Sequence, residues 1–174
     1  MPRFFPIFLV LFLLAPCFGA VPVIFDTDMG NDIDDALALA MLHSLESRGE
    51  CKLLGVTLTN AHPDAARYIR MVNRFYGRPE IPVGVASRAI REGDRDGFLS
   101  KPLAAAPIAL RKETRIAPEP AVLLLRRLLA ESEEKVVIVQ VGFSTNLAAL
   151  LESKADAISD LDGRELARRK VSLL

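Results

Sequence analysis

The strongest constraint on this chain is its alternation between short apolar runs and longer segments with helical spacing. Residues 21–25 (VPVIF), 52–59 (KLLGVTLT) and 135–141 (KVVIVQV) read as strands, with 81–85 as a further strand and 170–174 as the start of another. Residues 36–45 carry apolar side chains at helical spacing, with Asp34 and Asp35 in the first turn, where carboxylates suit the helix dipole. Residues 64–76, ended by Gly77, 121–132, and 144–152, capped by Ser144 or Thr145, read as further helices. Residues 87–120 are polar, contain Pro102, Pro107, Pro118 and Pro120, and show no sustained period, which suggests a long functional loop or lid. Strands alternating with helices predict an α/β fold: an open, mostly parallel, Rossmann-like sheet with helices on both faces. Ligands of such sheets bind outside the carboxyl ends of the strands. Residues 26–35, Asn60 and 142–146 each follow a predicted strand end, so one crevice could gather all three.

A length of 174 residues with 51% hydrophobic content suits one domain with a sizeable core. The formal net charge is zero and no basic run precedes the C-terminal segment, so composition favours a small ligand over a nucleic-acid partner. Residues 1–20 have the layout of a secretory signal: Arg3, the apolar run 7–15, and small residues around Gly19 and Ala20 for cleavage. A spanning helix needs roughly 20 apolar residues, so the shorter run here disfavours an uncleaved anchor. Pro16 before Cys17 disfavours lipid attachment. The expectation is a secreted or periplasmic domain over 21–174, off the membrane after cleavage, with Cys51 its only thiol and hence no intrachain disulfide.

Five aspartates (Asp26, Asp28, Asp32, Asp34, Asp35) fall within ten residues around Gly30 and Asn31. Unscreened, such charges repel one another. A hard cation such as Ca²⁺ takes about six to eight oxygen ligands, which explains the cluster better than helix capping, where one or two carboxylates suffice. Gly30 would let the backbone bend around the ion. An EF-hand does not fit, because counting from Asp26 puts Leu37 where a bidentate Glu is required.

The segment VIFDTDMGNDIDDALAL resembles the N-terminal signature of the inosine-uridine type nucleoside hydrolases, in which Asp-x-Asp-x-Gly leads to an Asp-Asp pair opening a helix. The likeness continues through LLGVTLTN (53–60) and VQVGFSTNLAALL (139–151). It implies that Asp28 is general base and metal ligand, that Asp35 and the Val141 carbonyl are further ligands of Ca²⁺, and that Asp26 orients the loop. It also implies that Asp34 meets the ribose hydroxyls and that Asn60 lies near a nucleoside substrate. Two residues more than the common family spacing separate the Asp-x-Asp and Asp-Asp elements here, and they include Asp32, so Asp32 competes with Asp34 for the ribose. The implied reaction is hydrolysis of the N-glycosidic bond to free base and ribose by a calcium-activated water, with Asp28 taking its proton and inversion at the anomeric carbon.

The family's later Gly-Gly turn, ribose-binding segment and C-terminal Asp and His have no counterpart before Leu174. The chain is therefore expected to be incomplete at its C-terminus, with doubtful activity, poor solubility or partner dependence as an isolated piece, and with room for a homo-oligomer. Two rival readings are a degenerate calcium- or sugar-binding remnant and a haloacid dehalogenase type phosphatase with Asp26 as nucleophile. His43 is expected to be a half-buried or surface helix residue and His62 an ordinary turn residue. Asp94, Asp96, Gly97 and Phe98 weakly resemble a family Asp-Gly segment. Arg164, Arg168, Arg169 and Lys170 suit a solvated helix end.

Overall fold

In chain order the elements are β1 (Val21–Thr27), α1 (Asp34–Ser47), β2 (Cys51–Leu58), α2 (Ala65–Phe75), β3 (Val83–Val85), α3 (Ser100–Ala105) and α4 (Ile108–Arg111). There follow β4 (Glu119–Pro120), α5 (Ala121–Glu131), β5 (Val136–Gln140), α6 (Thr145–Glu152), α7 (Gly163–Lys170) and β6 (Val171–Leu173). This computed structural model describes residues 19–30, 32–60, 62, 64–87, 98–111 and 119–174. The signal-like residues 1–18, and Asn31, Asp94, Asp96 and Gly97, lie outside the described residues.

The strands form one parallel sheet in the order β4-β3-β2-β1-β5-β6. From β1 the chain steps outward through β2 and β3 to β4, and α5 then carries it back to β5 on the other side of β1. The order therefore reverses between β1 and β5, which is where such sheets leave a crevice at their carboxyl ends. The alternation of β1 shows why both faces must be covered. Val23 and Phe25 pack with Leu39 and Leu42 of α1 and Ile69 of α2, while Ile24 packs with Leu124, Leu125 and Leu129 of α5 and Leu147 and Leu150 of α6. Each such aliphatic or aromatic side chain contributes about 1.5–3 kcal/mol when fully buried. The edge strand β4 has only two residues, which limits the ladder it offers another chain.

Three sequence expectations change. β1 runs to Thr27 rather than stopping at Phe25, so Asp26 and Thr27 belong to the strand. The segment 87–120 contains two short helices and an edge strand, and its Leu99 and Leu103 are buried. Helices of six and four residues are too short to show a period. Ser144 stands at the N-cap position of α6 but makes no side-chain cap bond: its hydroxyl is taken by Gln140 Nε2 (3.0 Å), and the buried Thr145 hydroxyl has no partner among the described residues.

His43 is fully buried, contrary to expectation. Its ring stacks on Tyr76 with centroids 4.6 Å apart. Nε2 lies 2.9 Å from Asn73 Oδ1, and the Arg78 guanidinium donates to Nδ1 at 3.3 Å. Arg78 can only donate, so Nδ1 accepts and the ring is held neutral with its proton on Nε2. Burial, together with the Arg78 charge, lowers its pKa below the usual histidine value, against the opposing Asn73 hydrogen bond. Below the unfolded-state value of about 6.5 the unfolded chain binds the extra proton first, so stability from this site is present above that pH and lost as pH falls. Urea melts at pH 7.5 and 5.5 are expected to show wild type losing more stability on acidification than His43→Gln. Parallel losses in the two proteins would contradict this.

Candidate active site

The acidic segment leaves the sheet from its central strand, and the period of two along β1 sends its last two side chains to opposite faces. Asp26 follows the parity of Ile24 toward α6. There its Oδ1 accepts from Thr57 Oγ1 (2.6 Å) and from Asn146 Nδ2 (2.8 Å), and the same Asn146 amide reaches the Leu58 carbonyl (3.0 Å). Thr27 follows Phe25 toward α1. Its hydroxyl donates to Asp35 Oδ1 (2.5 Å) and accepts from the Met29 amide (3.0 Å). Two adjacent strand residues thus tie the loop to α6 on one face and to α1 on the other.

Burial pushes the pKa of Asp26 up to about 6, against the Asn146 and Thr57 hydrogen bonds and with a further push from the Asp28 charge. Burial likewise raises Asp35 to about 6, opposed by the Thr27 hydrogen bond and reinforced by Asp28, Asp34 and Asp32. Asp28 is half-buried between them, whereas Asp32 and Asp34 are exposed. Gly30 has φ of 122°, and a Cβ there would come within 2.8 Å of Leu99 Cδ1. The turn therefore requires glycine for its conformation, and a larger residue would also have to displace the Leu99 side chain.

Asn60 is nearly fully buried, and its carboxamide serves the loop itself. Nδ2 donates to the carbonyls of Asp28 (2.7 Å) and Met29 (3.3 Å), and Oδ1 accepts from the His62 amide (3.2 Å). His62 is also buried, and its Nδ1 accepts from the Asp64 amide at the start of α2 (3.1 Å). Val141 joins the same edge from β5: its amide donates to the Asp26 carbonyl at 2.9 Å, beside the amide of Gly142 at 3.3 Å. A Cβ on Gly142 would lie 2.7 Å from both Asp28 N and Thr27 C, so the turn after β5 rests directly on the acidic loop.

The structure thus brings Asp28, Asp35, Asn60 and Val141 to one edge, with Asp32 and Asp34 on its rim. Among the described residues no three Asp, Glu, His or Cys side chains form a ready-made metal cluster. The donors present are carboxylate and main-chain oxygens, which suit a hard divalent cation that completes its shell elsewhere. The buried Asp26 Oδ2, which has no hydrogen-bond partner among the described residues, and the burial that raises Asp35, with repulsion from Asp28, Asp34 and Asp32 adding to it, fit a site short of positive charge. Asp26 itself is fully buried, with one oxygen doubly occupied, so the phosphatase reading fails on access to its nucleophile. A cavity of about 660 Å³ opens at the other end of β1 and β2, beside Pro22, Lys52 and Glu134, away from these groups.

Thr27 and Asn146 fall in segments the sequence brings to the crevice, but their roles there, and Thr57 altogether, were not legible in it. Thr27 and Thr57 are β-branched residues at strand ends and look like ordinary strand formers. Asn146 sits 120 residues from its partner Asp26, a pairing no local pattern encodes.

A wholly parallel sheet whose central strand ends in an aspartate-rich turn, met there by the turn after β5, defines an α/β protein with a cation-suited crevice at its switch point. Residues 23–163 match the family model of the inosine-uridine preferring nucleoside hydrolases, and the chain belongs to that family. It is 35% identical over 141 residues to the pyrimidine-specific ribonucleoside hydrolase RihA of Citrobacter koseri, covering 77% of this chain and 43% of that protein. The solved inosine-uridine preferring nucleoside hydrolase of Bacillus anthracis superposes with a TM-score of 0.62 at 22% identity, over 88% of this chain and 49% of that one. The type III effector protein XopQ, solved with adenosine diphosphate ribose, superposes at 0.69 and 22% identity, over 90% of this chain and 42% of that one. These two structures support the fold. The chain spans a little under half the length of each of these relatives.

Proposed function

We propose that this chain carries the cation- and ribose-binding half of a ribonucleoside hydrolase that cleaves the N-glycosidic bond to free base and ribose. The observation that carries the reading is the meeting of Asp28, Asp35 and the Val141 backbone at the carboxyl edge of β1 and β5, inside the residues that match the family. Asp28, Asp35 and the Val141 carbonyl would hold a divalent cation, with calcium the ion that hard oxygen donors favour. Such a cation, when bound, acidifies water and fixes ribose hydroxyls. Asp28, a half-buried carboxylate, would accept the proton of the attacking water. Asp34 or Asp32, exposed on the rim, would accept hydrogen bonds from ribose hydroxyls, and Asn60 would act near the substrate by fixing the loop that carries Asp28. The N-terminal apolar segment would export the protein to a secreted or periplasmic location. No helix among the described residues is long and apolar enough to cross a membrane.

Release of ribose from inosine or uridine in the presence of Ca²⁺ tests the proposal. Asp28→Ala is expected to reduce the rate by at least about 10²–10⁴-fold, the usual contribution of a general base. Calcium binding without turnover of either nucleoside would overturn the enzymatic reading and leave a binding remnant.

A further inference from the structure

We propose that Thr27 is a positioning residue that sets Asp35 and the Asp28–Gly30 turn in place before any cation arrives, an inference that rests on the metal reading above. The Thr27 side chain is fully buried, and its hydroxyl has one proton to give. The Met29 amide can only donate, and it donates to Thr27 Oγ1 at 3.0 Å. The hydroxyl proton is therefore committed to Asp35 Oδ1, eight residues away across the turn. One hydroxyl closes the loop from β1 to the first turn of α1 and fixes the rotamer of Asp35. It also holds the backbone just past Asp28, with Asn60 gripping the Asp28 and Met29 carbonyls from the other side. Without it, Asp35 keeps its place in α1 but loses its orientation, and the Met29 amide loses its buried partner. Residues that orient metal ligands typically change metal affinity by about 10–100-fold when removed.

Thr27→Val keeps the shape and the β-branch but removes both bonds, and Thr27→Ser keeps the hydroxyl. Calcium titration by calorimetry well below the melting transition is expected to show affinity about tenfold weaker in Thr27→Val and within about threefold of wild type in Thr27→Ser. Amide exchange without calcium is expected to show Met29 protection lost in the valine variant and regained in the serine variant. A purely structural role would lower Tm in Thr27→Val while leaving calcium affinity at the wild-type value, and that result would overturn the proposal. Failure of wild type itself to bind calcium would refute the metal reading instead. In that case the exchange data decide for Thr27: recovery of Met29 protection in the serine variant supports its role, and unchanged protection in the valine variant refutes it.

Discussion

Gly142→Ala is expected to disable the proposed cation site while leaving most of the sheet folded. The added Cβ would sit 2.7 Å from Asp28 N and Thr27 C and 2.8 Å from Thr59 Oγ1, distances that atoms cannot share. Two of these neighbours are backbone of the central strand, whose Asp26 carbonyl is already bonded to the Val141 and Gly142 amides, so the turn after β5 has to move outward. Overpacking of this kind costs about 1–3 kcal/mol. The larger effect is geometric, because the shift separates the Val141 carbonyl from Asp28. Calcium affinity measured by calorimetry is expected to fall by at least about tenfold, as for other disturbances around a metal site, while urea melts show a cooperative transition. Wild-type affinity in a folded Gly142→Ala protein would show that the turn after β5 takes no part in the site.

The second large effect lies away from the crevice. Arg126 on α5 is buried with its side chain 1% exposed, and it makes five hydrogen bonds. Nε and Nη2 hold both Asp156 oxygens at 2.8 and 2.9 Å, Nη1 reaches Ser153 Oγ, and Nη2 also meets the carbonyls of Ser159 and Leu161. The irregular chain between α6 and α7 is thus wrapped around one guanidinium. Arg126→Met preserves the stem but loses the bonds to the half-buried Ser153, Ser159 and Leu161, about 1 kcal/mol each and on the order of 3 kcal/mol together. That corresponds to a Tm roughly 6–12 °C lower for a chain of this size. Calorimetric melts check the size of the loss, and hydrogen exchange should place the earliest opening in residues 153–162. A change of only a degree or two would mean that this loop is held by other contacts, among them the Gly163 amide bond to the Ser153 carbonyl.

How far these features could be read in the sequence depended on whether the cause was local. The β/α alternation and the helices carrying Leu39, Ile69 and Leu125 follow from period and β-branching, and the structure agrees with them within a residue or two. The position of Asp28, Asp35 and Val141 at one sheet edge follows from strand ends in a parallel sheet. What could not be read depends on distant partners. Asp26 and Thr27 extend β1 because Thr57 and Asn146 meet Asp26 Oδ1 and Asp35 meets the Thr27 hydroxyl, and without those partners two polar residues look like the start of a loop. Asn146 looks like a helix-start residue until Asp26 is found beside it. His43 looks exposed because Asn73 and Arg78, which make its burial tolerable, lie on another helix and its trailing turn. The short helices α3 and α4 carry too few turns to declare themselves, although Leu99 from that region seals Gly30.

The opposite-face placement of Asp26 and Thr27 divides this region into a part that cannot change length and a part that can. Inserting or deleting one residue within β1 would exchange their faces, turning the carboxylate toward α1 and the hydroxyl toward α6, and would undo both ties at once. Between Gly30 and Asp34 the chain is under no such rule, because Asp35 is located by its helix and by Thr27, and Asp32 and Ile33 project into solvent. Extra residues beside the exposed Asp32 and Ile33 would add to the rim and leave Asp28 and Asp35 where they are. Variation can therefore accumulate at the rim of this crevice without resetting its floor.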